Sequence, residues 1–203
     1  MRTHRTPSRS HTLDFYFDFS SPYSYLGATQ AEAIAARTGA KLTVHPILLG
    51  AVFKAIGQAD VPMSGYSPSK QRHTLLDMPR WAARWGVPFA FNSRFPINSV
   101  KALRAYLALQ PSRRKSFRDA VYRAYWAEDL DITSDEVLSD FIGGDAPEVL
   151  ARTQTKEIKD ALFASTQRAI DLGAFGAPTW VVDGTELFFG QDRVPLIEDA
   201  LRK

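Results

Sequence analysis

Residues 13–26 read LDFYFDFSSPYSYL, and this stretch decides the fold. Its first seven residues alternate with a period near two, which predicts a strand. Leucine and phenylalanine take one face of that strand, and aspartate and tyrosine take the other. Ser21 is a candidate helix N-cap and Pro22 occupies the first helical position, so a helix is predicted to begin there. That helix should end near Thr38 and Gly39, because glycine is favoured at helix C-termini.

The alternating pattern returns directly after this helix. Residues 41–49 place Leu42 and Val44 on one face of a second predicted strand. Pro46 indicates a strand end or an edge position, because proline cannot donate to a ladder. A strand, a helix and a second strand in this order form a unit with parallel strands.

From about residue 50 to residue 169 the sequence gives helical signals and no convincing strand. Helices are predicted over 70–85, with Pro79 kinking or restarting the helix, and over 98–110 and 112–128. Residues 133–136 have capping-box spacing, and residues 145–148 carry another start signal. Apolar residues then recur at helical spacing from Ile158 to Ile170.

Strand signals reappear near the end of the chain. Residues 178–182 and 185–189 are two short predicted strands, joined by a favoured two-residue turn at Asp183-Gly184. Residues 190–193 are predicted to open a last helix. The chain is therefore predicted to be an α/β protein in which residues 13–50 and 170–203 share one sheet. Residues 51–169 form an all-helical insertion, and residues 1–12 form a disordered extension.

Composition limits the possible functions of this 203-residue chain. Its formal net charge is +3, and the excess lies mainly in residues 1–12, so the rest is near neutral and nucleic acid is not an expected partner. No segment has the length and apolarity of a membrane span or a signal peptide, which makes the cytoplasm the expected location. The four histidines lack metal-ligand spacing, so no metal site is expected.

The junction between the first strand and the first helix is where thioredoxin-like proteins carry a Cys-x-x-Cys motif. Here Ser21 and Ser24 fill both cysteine positions, and the chain contains no cysteine. The protein therefore performs no dithiol chemistry with its own side chains, and any thiol must arrive as a ligand. Glutathione is the obvious candidate.

Three segments together resemble 2-hydroxychromene-2-carboxylate isomerases, which belong with the disulfide-bond oxidoreductase A group. They are residues 14–26, the FGAPT segment at 175–179 and the FFGQDR segment at 188–193. The resemblance covers nearly all of 13–203 and implies a thioredoxin-like fold with a large helical insertion. Kappa-class glutathione transferases share this plan. One departure lies at Ser64-Gly65, where the isomerases carry an Asn-Arg pair, and it leaves the substrate less defined than the reaction class.

The resemblance also implies roles for particular residues. Ser21 would donate a hydrogen bond to the glutathione sulfur, and Ala177 would pair with the cysteinyl part of glutathione ahead of a cis Pro178. The remaining cofactor contacts would come from Phe189, Gly190, Gln191, Asp192 and Lys70. Lys54 would contact an aromatic substrate. Most of the aromatic residues of the helical segment are expected in the core, and Trp126 is the best candidate among them to line a pocket for that substrate. From the residues alone, a plain helix N-cap is the favoured explanation of Ser21. It is also an alternative explanation of Asp192, and the two lysines can be solvated surface residues.

The implied activity is a glutathione-dependent cis-trans isomerisation of an aromatic keto acid, by reversible thiolate addition, in a homodimeric enzyme. A hydroxyl donor at a helix N-terminus favours a thiolate, whose parent thiol has a pKa of about 8.5 when free. Two alternatives remain open. One is a kappa-like transferase that releases a glutathione conjugate, and the other is a non-catalytic peptide-binding protein on a redox fold.

Overall fold

The computed structural model describes residues 11–59 and 61–203, and it contains one four-stranded sheet with strand order β2-β1-β3-β4. The central strand β1 pairs in parallel with β2 and antiparallel with β3, and β3 pairs antiparallel with β4. The strands are β1 (Thr12–Phe17), β2 (Lys41–Pro46), β3 (Thr179–Val182) and β4 (Glu186–Phe189). The predicted sheet closure across the helical segment is thus confirmed.

Both faces of β1 are covered by other elements. Leu13, Phe15 and Phe17 belong to one hydrophobic cluster and Tyr16 belongs to a second, and all four side chains are fully buried. The alternation in the sequence therefore separates two buried faces. A strand in this position needs helices on each side of the sheet.

Nine α-helices supply these two layers and the segment between β2 and β3 in the described part of the chain. They are α1 (Pro22–Thr38), α2 (Leu49–Ala55), α3 (Pro68–Trp85), α4 (Val100–Ala108), α5 (Pro111–Trp126), α6 (Asp135–Ile142), α7 (Ala146–Arg152), α8 (Lys156–Asp171) and α9 (Val194–Ala200). All the predicted helices are present. Pro79 lies inside α3 without dividing it, and Leu75, the residue four positions before it, is exposed.

Several predicted boundaries shift by a few residues. The second strand ends at Pro46 rather than residue 49, and α2 begins three residues later. The last helix begins at Val194, with Arg193 as its N-cap, rather than in residues 190–193. The predicted disordered extension over 1–12 lies outside the described residues up to residue 10. Thr12, by contrast, already belongs to β1.

The helical segment contributes to both layers around the sheet. Helices α1, α4, α5 and α9 pack in the cluster that contains Phe15 and Phe17. Val52 of α2 and Ala169 of α8 pack in the cluster that contains Tyr16. The predicted division at residues 51–169 therefore runs through elements that cover the sheet directly.

Gly27 lets α1 lie close to the sheet just after residues 21–24, the SPYS junction between β1 and α1. A Cβ atom at this position would lie 3.1 Å from Pro178 Cγ, 3.3 Å from Trp180 and 3.4 Å from Phe15. These separations are at the tight end of ordinary van der Waals contact, so a side chain here must displace its neighbours.

We expect Gly27→Val to lower the free energy of unfolding by about 1–3 kcal/mol, because the added methyl groups overpack this contact. Gly50→Val is the matched control. Gly50 is also helical and has no atom within 4 Å of its hypothetical Cβ, so its unfolding free energy should change by less than about 0.5 kcal/mol. Urea denaturation measures both, and equal effects would show that Gly27 is not a packing constraint.

Candidate functional site

Ser21 caps helix α1 and touches the opposite end of the chain. Its backbone is extended, and its Oγ accepts a hydrogen bond from Ser24 N at 3.1 Å. The same hydroxyl donates to the Ala177 carbonyl, with an Oγ to O distance of 2.8 Å. The predicted N-cap is therefore present, and its hydroxyl hydrogen points to the predicted cis-proline segment.

The peptide bond between Ala177 and Pro178 is cis, as the family resemblance implies. The Pro178 carbonyl accepts a hydrogen bond from Gly190 N at 3.0 Å. The indole N–H of Trp180 donates to the Gly190 carbonyl, also at 3.0 Å. These bonds place the three segments that carry the resemblance next to one another in space.

The loop at residues 190–193, called the closing loop below, is tied to helix α3 through Gln191. This side chain is buried, and its Oε1 accepts a hydrogen bond from Trp85 Nε1 at 2.6 Å. Because this oxygen already has a partner within the protein, the predicted ligand contact at Gln191 would have to use its side-chain NH₂ group or its backbone.

Asp192 is not the N-cap of α9, because Arg193 holds that position and the two side chains form an ion pair at 2.9 Å. The carboxylate instead folds back over Gly190, where its Oδ1 lies 2.7 Å from the position a Cβ would take. Gly190 has a φ of 107°, a conformation that favours glycine. Asp192 keeps about a third of its side chain exposed beside the cis-proline segment.

Phe189 lies at the end of β4 against the glycine that precedes Ala177. A Cβ on Gly176 would lie 2.7 Å from the Phe189 ring, so only glycine fits there. The ring also packs on Phe175, with 4.5 Å between centroids, and remains partly exposed. Phe189 therefore forms an accessible apolar wall beside the cis-proline segment.

The two predicted lysines are both exposed. Lys70 lies in the first turn of α3, with its ammonium 3.7 Å above the centre of the Tyr66 ring. Lys54 lies near the end of α2. Lys70 lies on α3 and Lys54 on α2. Among the described residues, neither ammonium group forms an ion pair with a carboxylate.

Trp126 does not line an open pocket, contrary to its predicted role. It is fully buried, and its indole N–H donates to the Phe19 carbonyl at 2.9 Å. Its ring packs against Phe91 and Phe95. Trp126 therefore anchors α5 to the segment that leads into Ser21. Phe91 is the exposed member of this cluster.

Tyr23 is a residue at the site that sequence reasoning missed. It lies between the two serines, and it is half-buried in the first turn of α1. Burial raises the pKa of its phenol, with smaller contributions from Tyr66, Asp77 and Asp192. Of these groups, Tyr66 lies just before α3, Asp77 belongs to α3, and Asp192 belongs to the loop at residues 190–193. The position of Tyr23 inside the Ser-Pro-Tyr-Ser motif could have indicated that it lies at the site, whereas no sequence pattern distinguishes Asp77.

A family model for the DSBA-like thioredoxin domain matches residues 12–202. The chain belongs to this family. It is 29% identical over 199 residues to a 2-hydroxychromene-2-carboxylate isomerase of Sphingobium xenophagum, covering 94% of this chain and 97% of the relative. It is also 29% identical over 202 residues to glutathione S-transferase kappa 1 of Rattus norvegicus, covering 91% and 88%.

The solved structures agree with this membership. A structure of 2-hydroxychromene-2-carboxylate isomerase superposes with a TM-score of 0.82 at 25% identity, covering 94% of each chain. This DSBA-like protein is therefore similar over its length to both an isomerase and a transferase. Among residues 11–59 and 61–203, no helix is long and apolar enough to cross a membrane, and no cluster of three metal-ligating side chains occurs.

We expect Trp85→Phe to lower the free energy of unfolding by about 1–3 kcal/mol, because it leaves the buried Gln191 oxygen without its donor. The double variant Trp85→Phe/Gln191→Leu removes both partners and should recover part of that loss. Urea denaturation of the two single variants and the double variant measures the coupling. Strictly additive losses would show that the hydrogen bond does not stabilise the closing loop.

Proposed function

We propose that this protein is a glutathione-dependent isomerase of aromatic keto acids that resemble 2-hydroxychromene-2-carboxylate. The observation that carries the proposal is the Ser21 hydroxyl at the N-terminus of α1, 2.8 Å from the carbonyl that precedes a cis-proline. A site of this form offers a donor and a helix dipole to an anion. No cysteine competes for the position.

The residues around Ser21 fit a tripeptide thiol. Ala177 presents backbone groups beside the hydroxyl, which suits the cysteinyl unit of glutathione. Asp192 supplies a partly exposed carboxylate for the γ-glutamyl ammonium, and Lys70 an ammonium for a carboxylate. Phe189 adds partly exposed apolar surface beside the cis-proline segment. This set of donors and acceptors supports the choice of glutathione over a simple alkyl thiol.

Ser21 must exchange hydrogen-bond partners to act on a sulfur atom. At rest its hydroxyl hydrogen is donated to the Ala177 carbonyl, while its oxygen accepts from Ser24 N. Rotation of the hydroxyl toward a bound sulfur would leave the Ala177 carbonyl open to an amide N–H. The N–H groups of the first turn of α1 stay in place throughout, so the electrostatic contribution of the helix needs no reorganisation.

When bound, glutathione supplies the thiolate that adds reversibly to the alkene and leaves after rotation about the new single bond. The task of the protein is to hold the sulfur ionised and to orient the alkene. Ser21 and the start of α1 serve the first purpose. Lys54 serves the second, as an exposed ammonium on a neighbouring helix for the substrate carboxylate.

A kappa-like transferase is the second candidate, because the isomerase and transferase relatives are equally similar to this chain. Lys70, in a Pro-Ser-Lys segment at the start of α3, also matches the kappa pattern. Ser21 would serve both reactions in the same way. The two functions differ in whether glutathione is recovered unchanged.

We expect catalytic amounts of glutathione to support many turnovers of an aromatic α-keto acid alkene, with the free thiol concentration unchanged at the end. Substrate absorbance follows the isomerisation, and a thiol titration follows glutathione. Stoichiometric loss of thiol to a chlorinated aromatic acceptor, without isomerisation, would assign the protein to the transferases. Calorimetry that detects no binding at millimolar glutathione would contradict both functions.

We expect Ser21→Ala to slow turnover about ten- to a hundredfold, because a charge-assisted hydrogen bond contributes roughly 1.5–3 kcal/mol. The fold should persist, with a cost of about 1 kcal/mol for the lost cap. Ser134→Ala is the control, because Ser134 also caps a helix with its side chain, but at the start of α6 rather than α1. Steady-state kinetics and urea denaturation separate the two effects. Unchanged turnover in Ser21→Ala would show that the helix N-terminus alone suffices.

A further inference from the structure

Asp18 is a fully buried carboxylate three residues before Ser21. Its Oδ1 accepts hydrogen bonds from Ser20 N at 2.9 Å and from Ser99 Oγ at 2.6 Å. Its Oδ2 accepts from Leu49 N at 2.8 Å. The carboxylate therefore has three donors from three separate parts of the chain.

Each of these donors stands at the start of a helix. Ser20 directly precedes the N-cap of α1, Leu49 is the first residue of α2, and Ser99 is the N-cap of α4. The N-cap residue of α2 is Leu48, which has no polar side chain to offer. Asp18 thus supplies the acceptor that α2 lacks at its own N-terminus.

Ser99 gives a second sign that this arrangement is specific. A serine at an N-cap usually accepts a hydrogen bond from its own helix, but Ser99 makes no such bond and donates its hydroxyl to Asp18 instead. Three helix starts therefore converge on one carboxylate, and their partial positive charges all favour an anion there.

The backbone of Asp18 is held as firmly as its side chain. Its carbonyl accepts hydrogen bonds from Ser21 N at 3.1 Å and from the Tyr122 hydroxyl at 3.2 Å. Burial raises the pKa of the Asp18 carboxyl, and the donors Ser20, Ser99 and Leu49 act in the opposite direction. A carboxylate is costly to bury at this position. Loss of any one donor should therefore change the hydrogen bonds that the other donors make to it.

We propose that Asp18 is a positioning residue that fixes the helix carrying Lys54 relative to the hydroxyl of Ser21. Lys54 lies five residues after Leu49, about 7.5 Å along the axis of α2. A shift at the start of α2 is therefore transmitted directly to the ammonium. This inference rests on the proposed function, in which Ser21 holds the sulfur and Lys54 holds the substrate carboxylate.

The variant Asp18→Asn tests this proposal. An amide has one acceptor oxygen, so in either orientation its NH₂ group faces a backbone N–H and one helix start loses its acceptor. We expect kcat/KM for the keto acid to fall about ten- to a hundredfold, while the Kd for glutathione changes less than threefold. Asp14→Asn is the matched control, because Asp14 is a buried carboxylate of β1, four residues before Asp18, that binds His45 instead. Its kinetics should equal those of the wild type.

A double-mutant cycle distinguishes positioning from a general loss of stability. If Asp18 acts through α2, Lys54→Ala should cost several-fold less in the Asp18→Asn background than in the wild type. If Lys54→Ala lowers kcat/KM by the same factor in both backgrounds, the proposal is overturned. If Asp18→Asn fails to fold, Ser99→Ala removes one donor and carries the same cycle, with a smaller expected loss of about threefold.

Amide hydrogen exchange provides a readout that does not depend on activity. Asp18→Asn should raise exchange in residues 20–24 and 49–55 together, and Asp14→Asn should leave both segments protected. Increased exchange confined to residues 20–24 would overturn the proposal. A wild-type protein without isomerase activity, but with this joint loss of protection in Asp18→Asn, would refute the proposed function and leave the positioning role of Asp18 supported.

Discussion

The structure depends on the burial of β1 from both sides. A central strand whose two faces are both apolar has to be covered twice, and the chain does this with separate sets of helices. The end of β1 therefore emerges into a region enclosed by helix starts. Such a place concentrates unpaired N–H groups and excludes water, and these two properties favour an anion. The location of the site follows from the coverage of the strand.

Local signals predicted most of the elements around this strand. The period of residues 13–19 predicted β1, although the strand ends at Phe17. The cap at Ser21 and the glycine at the end of α1 were confirmed. The helix start predicted at residues 190–193 was wrong, because glycine and aspartate are also common in loops. The conformation of this loop is constrained by the hydrogen bond from Gly190 N to the Pro178 carbonyl, which no local sequence signal shows.

The part of the candidate site that lies within the sequence motifs was predictable. Ser21, Ala177 and Pro178 do meet, but only the family resemblance brought them together, because no periodicity links residues so far apart. The sequence could not predict that Trp126 is buried, because an aromatic residue on a helix can pack in a core or line a pocket. Asp18 was passed over as a polar residue on an alternating strand. Its importance comes from Leu49 and Ser99, two partners that the sequence does not place beside it.

The bond between Ser21 and Ala177 joins residues 156 positions apart. During synthesis, β1, α1 and β2 emerge first, and β1 then waits for its second neighbour while every insertion helix is made. The Ser21 hydroxyl meets its acceptor only after the segment that follows α8 has left the ribosome. The helices can collapse earlier around an unfinished sheet, so the candidate site assembles only after residue 177 has been translated. A product that stops before Ala177 would be helical but would lack this bond.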